Sequence, residues 1–412
     1  MSKLAIDGGE KVRKNPLPPR RLFGEEEKAA AMALFDMAIE SGNAFGYNGA
    51  EEQAYEKEFA EFMGGGYADM VNSGTSAIFV ALGALNLEPL SEVIAPPITD
   101  PGGVMPIPML NLVPVIADAH PGSYNMGPDQ VEEVITERTR AIVVAHITGE
   151  PADMDPIMEI ARSKNIAVVE DCAQSHGTIY KGRLAGTIGD ISAFSTMSGK
   201  HHATGAQGGV VFTKNQDLYW EAKRFADRGK PFNTDSPTNV RIGLNLNGND
   251  LSAAIGRVQL RKLPNIIEGR RRFVSALANR MNGLKSLSLG WMPADCESSY
   301  WFARIHIDCS KLTVNKDDFV NALSAEGIPC FASYRHIPSE AKWFRERITY
   351  GKSGYPWTAP EYKGDRNREF PCPNAVKATE EHFNLQLSES YGDQEAADFA
   401  EALYKVERAY LK

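Results

Sequence analysis

Asp171, Gln174, Ser195 and Lys200 fall within thirty residues of one another near the middle of the chain. A lysine amine condenses reversibly with an aldehyde near neutral pH when burial or a neighbouring cation lowers its pKa. Asp171 follows the apolar run Ile166 to Val169, and a carboxylate at the end of a buried strand needs a cationic or hydrogen-bonding partner. A protonated pyridine nitrogen is one such partner; an unidentified arginine or a helix start is another, and the sequence leaves both open. Gln174 is placed to donate to a phenolic oxygen on the same ring, and Ser195 to a phosphate. Upstream, Asn72-Ser73-Gly74-Thr75-Ser76 sets a glycine among hydroxyls where a helix is due to begin. The N–H groups and positive dipole end of such a start attract phosphate, although Ser and Thr there are also ordinary N-caps. Together these residues predict a site for a phosphorylated aromatic aldehyde, with Lys200 as its covalent anchor.

Other motifs near Lys200 carry less. Gly199-Lys200 is not a nucleotide P-loop, because His201 stands where a magnesium-binding Ser or Thr belongs and the upstream glycine is missing. His176, His201, His202 and Cys172 match no zinc spacing, and adjacent histidines on an extended segment face opposite ways. No metal is expected; His176, His201 and His202 are assigned instead to substrate contact, together with Tyr334 and His336. His146, at a strand end, fits a structural histidine as well as a functional one.

The elements that position these residues read as α/β. Between Ala68 and Phe212, short apolar runs alternate with amphipathic helices. Ala141-Ile142-Val143-Val144 and Ala167-Val168-Val169 are continuously apolar, as strands covered on both faces of a mostly parallel sheet must be, and sites in such sheets open at the strands' carboxyl ends. Before this region come a Pro- and Arg-rich arm (15–21) and helices over 25–39 and 53–63. After Asn249 a long helical pattern, with a break expected at Pro264, connects to a smaller part with strands over 301–307 and 328–334 and helices over 317–323 and 394–411. The expected division is a large α/β domain with its arm, 1–262, and a small C-terminal α+β domain, 263–412.

The 412 residues are 43% hydrophobic and 24% charged, with a formal net charge of -9. That balance, with Lys and Arg scattered, suits a small-molecule partner and neither nucleic acid nor an anionic membrane. The start Met1-Ser2-Lys3 lacks a secretory apolar core, and five widely spaced cysteines suggest no disulfide framework or zinc site. Reduced thiols and a cytoplasmic location are expected.

Asn72-Ser73-Gly74-Thr75-Ser76-Ala77, His146 to Asp155, Glu170-Asp171-Cys172-Ala173-Gln174-Ser175-His176-Gly177, Phe194-Ser195 with Lys200, Gly208-Gly209 and Gly243-Leu244-Asn245 occur in that order. The set resembles the DegT/StrS-type sugar aminotransferases, a branch of the fold type I pyridoxal-phosphate enzymes, over nearly the whole chain. The resemblance implies pyridoxal 5'-phosphate as cofactor, Lys200 as the lysine that carries it, Asp171 on its pyridine nitrogen and Gln174 on its phenolic oxygen. It further implies Gly74, Thr75 and Ser195 on the phosphate, and Asn245 reaching the phosphate of the neighbouring subunit in a homodimer with shared active sites. Its implied reaction moves an amino group from glutamate or glutamine to a keto sugar, usually nucleotide-linked, or to a cyclitol ketone. The chain departs from the family pattern at Asp100, where an aromatic residue commonly stacks on the cofactor ring, and at Asn247, where arginine is common. The turn Gly205-Ala206-Gln207-Gly208-Gly209 is also one residue longer than usual. Two other functions are weighed. A keto-sugar dehydratase is suggested by His201-His202 but opposed by Lys200, and a non-catalytic cofactor-binding or regulatory protein is opposed by the full Lys, Asp, Gln and Ser set.

Overall fold

A computed structural model describes residues 3–412. Fourteen strands are described. The main sheet contains β1 (Tyr67–Val71), β2 (Glu92–Ala95), β3 (Val113–Ile116), β4 (Thr139–Ala145), β5 (Ala167–Asp171), β8 (Ile191–Ser195) and β9 (Gly209–Thr213), in the order β1-β9-β8-β5-β4-β2-β3. The pairs β2 with β3, β2 with β4, β4 with β5 and β5 with β8 are parallel, and only β9 runs against its neighbours. Side chains alternate between two cores. Val93, Ala141, Val143, Val169 and Ile191 pack with helix Gly74–Ala84, whereas Ile94, Ile142, Val144 and Val168 pack with helix Met154–Ser163. Covering both faces explains the continuous apolar runs in the sequence.

A short sheet joins β6 (Ile179–Tyr180), β7 (Arg183–Leu184) and β11 (Cys296–Glu297). A third sheet, β10 (Leu287–Leu289), β12 (Ala303–Ile307), β14 (His382–Leu385) and β13 (Cys330–Phe331), packs against the helices Lys316–Ala325 and Asp393–Tyr410 around its own core. Helix Asp250–Met281 ties the two cores together and runs through the position where the division was expected, 262/263. Its Ala253, Leu260, Leu263 and Ile267 pack on the main-sheet side, and its Phe273, Val274, Leu277 and Met281 on the small-sheet side.

Two expectations are corrected here. The helix runs unbroken through Pro264, which is solvent-exposed. Water can satisfy the carbonyl that loses its N–H partner, while each half is pinned by its own core. The strand expected over 328–334 is paired only at Cys330–Phe331; the next residues leave the sheet, and the carbonyl of His336 accepts from the N–H of Thr99 at 2.9 Å. Ahead of the arm, Leu4 is buried in the small-sheet core, and Arg13 is paired with Glu395 and Asp398. Among the described residues, no helix is long and apolar enough to cross a membrane.

Candidate active site

The carboxyl ends of β1, β2, β4, β5 and β8 open on one cavity of about 240 Å³. Lys200, Asp171, Gln174, Ser195, Gly74 and Thr75 all line it, so residues from three sequence segments meet where a parallel sheet places its ligands.

At one pole lies the start of helix Gly74–Ala84. Ser73 caps it, its hydroxyl accepting from the N–H of Ser76 at 3.1 Å. The cap thus falls on Ser73, and the first-turn N–H groups of Gly74 and Thr75 have no intrahelical partner. Space is tight: a Cβ on Gly74 would stand 2.6 Å from Cβ and 3.0 Å from Oγ of Ser195. Glycine is therefore required by the close approach of β8, which sets the Ser195 hydroxyl beside the helix start.

At another wall, Asp171 is buried. One carboxylate oxygen accepts from the N–H of Ala173 at 3.0 Å; the second has no hydrogen-bond donor among the described residues. Burial raises its pKa, opposed by the Ala173 N–H and the charge of Lys200. Such a carboxylate is suited to a cationic N–H from a ligand. Behind it, Glu170 accepts from His146 Nε2 at 3.0 Å and from the N–H groups of Gly186, Ile188 and Gly189, while His146 Nδ1 accepts from the N–H of Ala152. His146, Glu170 and Cys172 are close enough to hold an ion, but both Glu170 oxygens and both imidazole nitrogens are already engaged. The group acts as a latch that fixes the end of β5.

Gln174 joins the main-sheet part to the segment that carries Tyr334. Its Oε1 accepts from the N–H of Thr148 at 2.9 Å, and its Nε2 donates to the hydroxyl of Tyr334 at 2.8 Å. Thr148 holds φ at 67° to present that N–H, a left-handed conformation that costs a threonine roughly 1–3 kcal/mol. The ion pair Glu150 with Arg304 locks the same junction, Arg304 Nη2 donating at 2.7 Å and Nε at 3.1 Å.

Lys200 Nζ is 3.9 Å from the ring centroid of Trp301 and, among the described residues, has no hydrogen-bond partner. Burial pushes its pKa down to about 8, against the raising influence of Asp171 and Asp100. Arg20, from the arm, donates to the carbonyl of Lys200 at 2.6 Å and is paired with Glu389. Trp301 and Arg20 were missed in the sequence because they approach from distant segments. An aromatic residue at the edge of a polar strand was the only signal for Trp301.

The remaining site residues are placed differently. His176, His201 and His202 are fully buried behind the Lys200 loop and are not brought to the cavity. His202 pairs with the hydroxyl of Tyr55 at 2.6 Å, and His201 Nε2 with the carbonyl of Ser299 at 3.0 Å; burial pushes His202 down to about 3 and His176 and His201 well below the usual imidazole range. Their assignment to substrate contact is corrected: they are neutral core groups. The ring of His336 lies 4.7 Å from that of Tyr334, beside an adjoining pocket of about 290 Å³ that also contains Thr99 and Trp343. Asp100 caps the turn Pro101–Gly103 through the N–H of Gly102 at 2.9 Å. Asn245 is exposed, accepts from Asn247 Nδ2 at 2.7 Å, and does not line the cavity.

The sequence profile of the DegT/DnrJ/EryC1/StrS aminotransferase family matches residues 25–403. The chain belongs to this family. Among curated relatives of these aminotransferases, the GDP-perosamine synthase of Escherichia coli O157:H7 is 34% identical over 61% of this chain and 68% of its own length. The L-glutamine:2-deoxy-scyllo-inosose aminotransferase of Streptomyces fradiae is 30% identical over 99% of this chain and 98% of its own. The solved structure of an aminotransferase from Psychrobacter cryohalolentis superposes with a TM-score of 0.82 and 26% identity, covering 96% of this chain and 99% of that one. The expected fold type I architecture, a mostly parallel sheet with helices and a smaller C-terminal part, is thereby established.

Proposed function

We propose that this aminotransferase uses pyridoxal 5'-phosphate, anchored through Lys200, to move an amino group from glutamate or glutamine to the carbonyl carbon of a keto sugar, nucleotide-linked, or of a cyclitol ketone. The observation that carries this reading is the meeting in one cavity of a lysine with a lowered pKa, a buried carboxylate with one free oxygen, and a glycine-bearing helix start. The cavity fits the cofactor on the chemistry of its donors. Gly74, Thr75 and Ser195 offer N–H and O–H groups to the phosphate, Asp171 a carboxylate to the ring nitrogen, and Gln174 an amide to the phenolic oxygen.

When bound, the cofactor would supply an electron sink for the pair left on the amino-donor carbon as its proton is removed. Asp171 keeps a proton at the ring nitrogen through its unpartnered oxygen. Lys200 Nζ, once free, would take the proton from the amino-donor carbon and deliver it to the cofactor's former aldehyde carbon, a role suited to an amine titrating near neutrality. Gln174, held on both sides by Thr148 and Tyr334, orients the ring, and Tyr334 and His336 face the acceptor. Two subunits share their sites: Asn245 lies on a surface where Ile242 is 86% and Leu244 51% exposed, an apolar edge suited to burial against a second copy. The large and small parts, 1–262 and 263–412, form the two lobes around the cavity, and the free cysteines suit a cytoplasmic enzyme.

Absorbance of the cofactor-loaded protein tests the reading: glutamate or glutamine should convert the aldehyde form to the amine form, and a panel of keto sugars and inososes should then reverse it. Loss of a sugar hydroxyl without amino-sugar product would identify a dehydratase. No conversion with any amino donor would leave a binding protein.

A further inference from the structure

Trp301 stands between the small-sheet part and the loop that carries Lys200. Its indole N–H donates to the carbonyl of Gly199 at 3.0 Å, and its backbone N–H donates to the carbonyl of Thr148 at 2.8 Å. The residue is therefore tied twice, through its ring to the loop that carries Lys200 and through its backbone to the strained residue that orients Gln174. Its face lies 3.9 Å from Lys200 Nζ, within the range at which an ammonium is drawn to an indole.

We propose that Trp301 is a positioning residue for Lys200: its ring parks the uncombined amine on one side of the cavity and keeps water from it. The inference rests on Lys200 being the residue that holds the cofactor. A flexible four-carbon chain with no hydrogen-bond partner would otherwise sample many rotamers, and an amine without a fixed place reacts more slowly with an aldehyde brought by a separately anchored phosphate. The ring acts on the amine in two opposing ways. Excluding water favours the neutral form, and the π face favours the ammonium; burial is the larger influence on Lys200, whose pKa lies at about 8. The other titratable or charged groups around the amine are Asp171, Asp100, His176 and Arg20. None shares the Trp301 segment, so a change at Trp301 leaves their chemistry in place.

The experiment uses the full-length protein freed of cofactor. Capture of pyridoxal 5'-phosphate is followed by absorbance from pH 6 to 10, and the bond formed, with loss of one water, is located by borohydride reduction and peptide mapping. Wild type is compared with Trp301→Ala, Trp301→Leu and Trp301→Phe, each checked for folding by circular dichroism. Trp301→Ala, or Trp301→Leu should Ala not fold, is expected to raise the pH midpoint by about one unit and to slow capture at pH 7.5 roughly tenfold. Trp301→Phe, which keeps a ring face but loses the bond to Gly199, is expected to stay within about threefold of wild type, since a phenyl face still excludes water and attracts the amine. Wild-type rates and midpoint in the folded Ala or Leu variant, or an equal shift in the Phe variant, would overturn the inference. Failure of the wild-type protein to capture the aldehyde at all would instead defeat the cofactor assignment on which it rests.

Discussion

Asp171→Asn should push two readouts of the same site in opposite directions. In the cofactor-free protein the Asp171 carboxylate accepts one hydrogen bond among the described residues, from the N–H of Ala173, and burial holds its pKa above the usual carboxylate value. An acid with a raised folded pKa gives up stability as pH rises from its unfolded pKa through its folded one. At neutral pH the ionised carboxylate therefore destabilises the cofactor-free fold, by ~1.4 kcal/mol for every pH unit between those two pKa values. Asparagine keeps the acceptor for Ala173 and removes that charge, so the cofactor-free protein should unfold at the same or a higher temperature. Asp171 is also the larger of the two carboxylate influences that raise the Lys200 pKa. Without it the amine should titrate below about 8 and capture aldehyde faster near neutrality. Turnover should move the other way. Losing a charge-assisted hydrogen bond to the ring nitrogen costs about 1.5–3 kcal/mol, or roughly 10- to 150-fold in kcat. The assays are thermal unfolding of the cofactor-free protein, the pH profile of pyridoxal 5'-phosphate capture, and single-turnover conversion by glutamate. A capture midpoint that stays put or rises would refute the influence of Asp171 on Lys200, and a kcat within threefold of wild type would refute its assignment to the ring nitrogen.

Gly74→Ala puts a methyl group against Ser195; overpacking of this kind costs ~1–3 kcal/mol. It should weaken pyridoxal 5'-phosphate more than unphosphorylated pyridoxal, as measured by equilibrium titration of both. Glu150→Gln leaves the buried guanidinium of Arg304 without its counter-charge, and breaking such a pair costs about 3–5 kcal/mol; denaturant unfolding should show a loss on that scale. Lys200→Ala and Asn245→Ala subunits should each be inactive alone, yet recover about a quarter of wild-type activity after mixing and refolding, because half the dimers are mixed and each has one intact site. No recovery, with mixed dimers demonstrated, would remove Asn245 from the partner's site.

The sequence disclosed the parts of the site whose residue types are dictated by chemistry or backbone. Gly74 had to be glycine for β8 to approach, Asp171 ended an apolar run, and Lys200 followed another. Each is local, and the parallel sheet aligns their strand ends automatically. What it hid depends on packing between distant segments. Trp301 enters from the small lobe and Arg20 from the arm, and nothing local ties either to Lys200; Tyr334 was legible as a polar contact, but its bond to Gln174 was not. His176, His201 and His202 misled for a related reason: a polar run beside a reactive lysine reads as site lining, but Tyr55 and the Ser299 carbonyl let two of them be buried as neutral groups. Pro264 signalled a break that the packing of both helix halves overrides. Strand pairing at 328–334 was overestimated because those residues are diverted to bring Tyr334 to Gln174.

The central claim is that Lys200 holds the cofactor. Loading the protein with pyridoxal 5'-phosphate, reducing with borohydride and mapping the modified peptide tests it directly. A single phosphopyridoxyl group on Lys200, absent from a folded Lys200→Ala variant, is the expected result; label on another lysine, or an adduct that survives in Lys200→Ala, would contradict it.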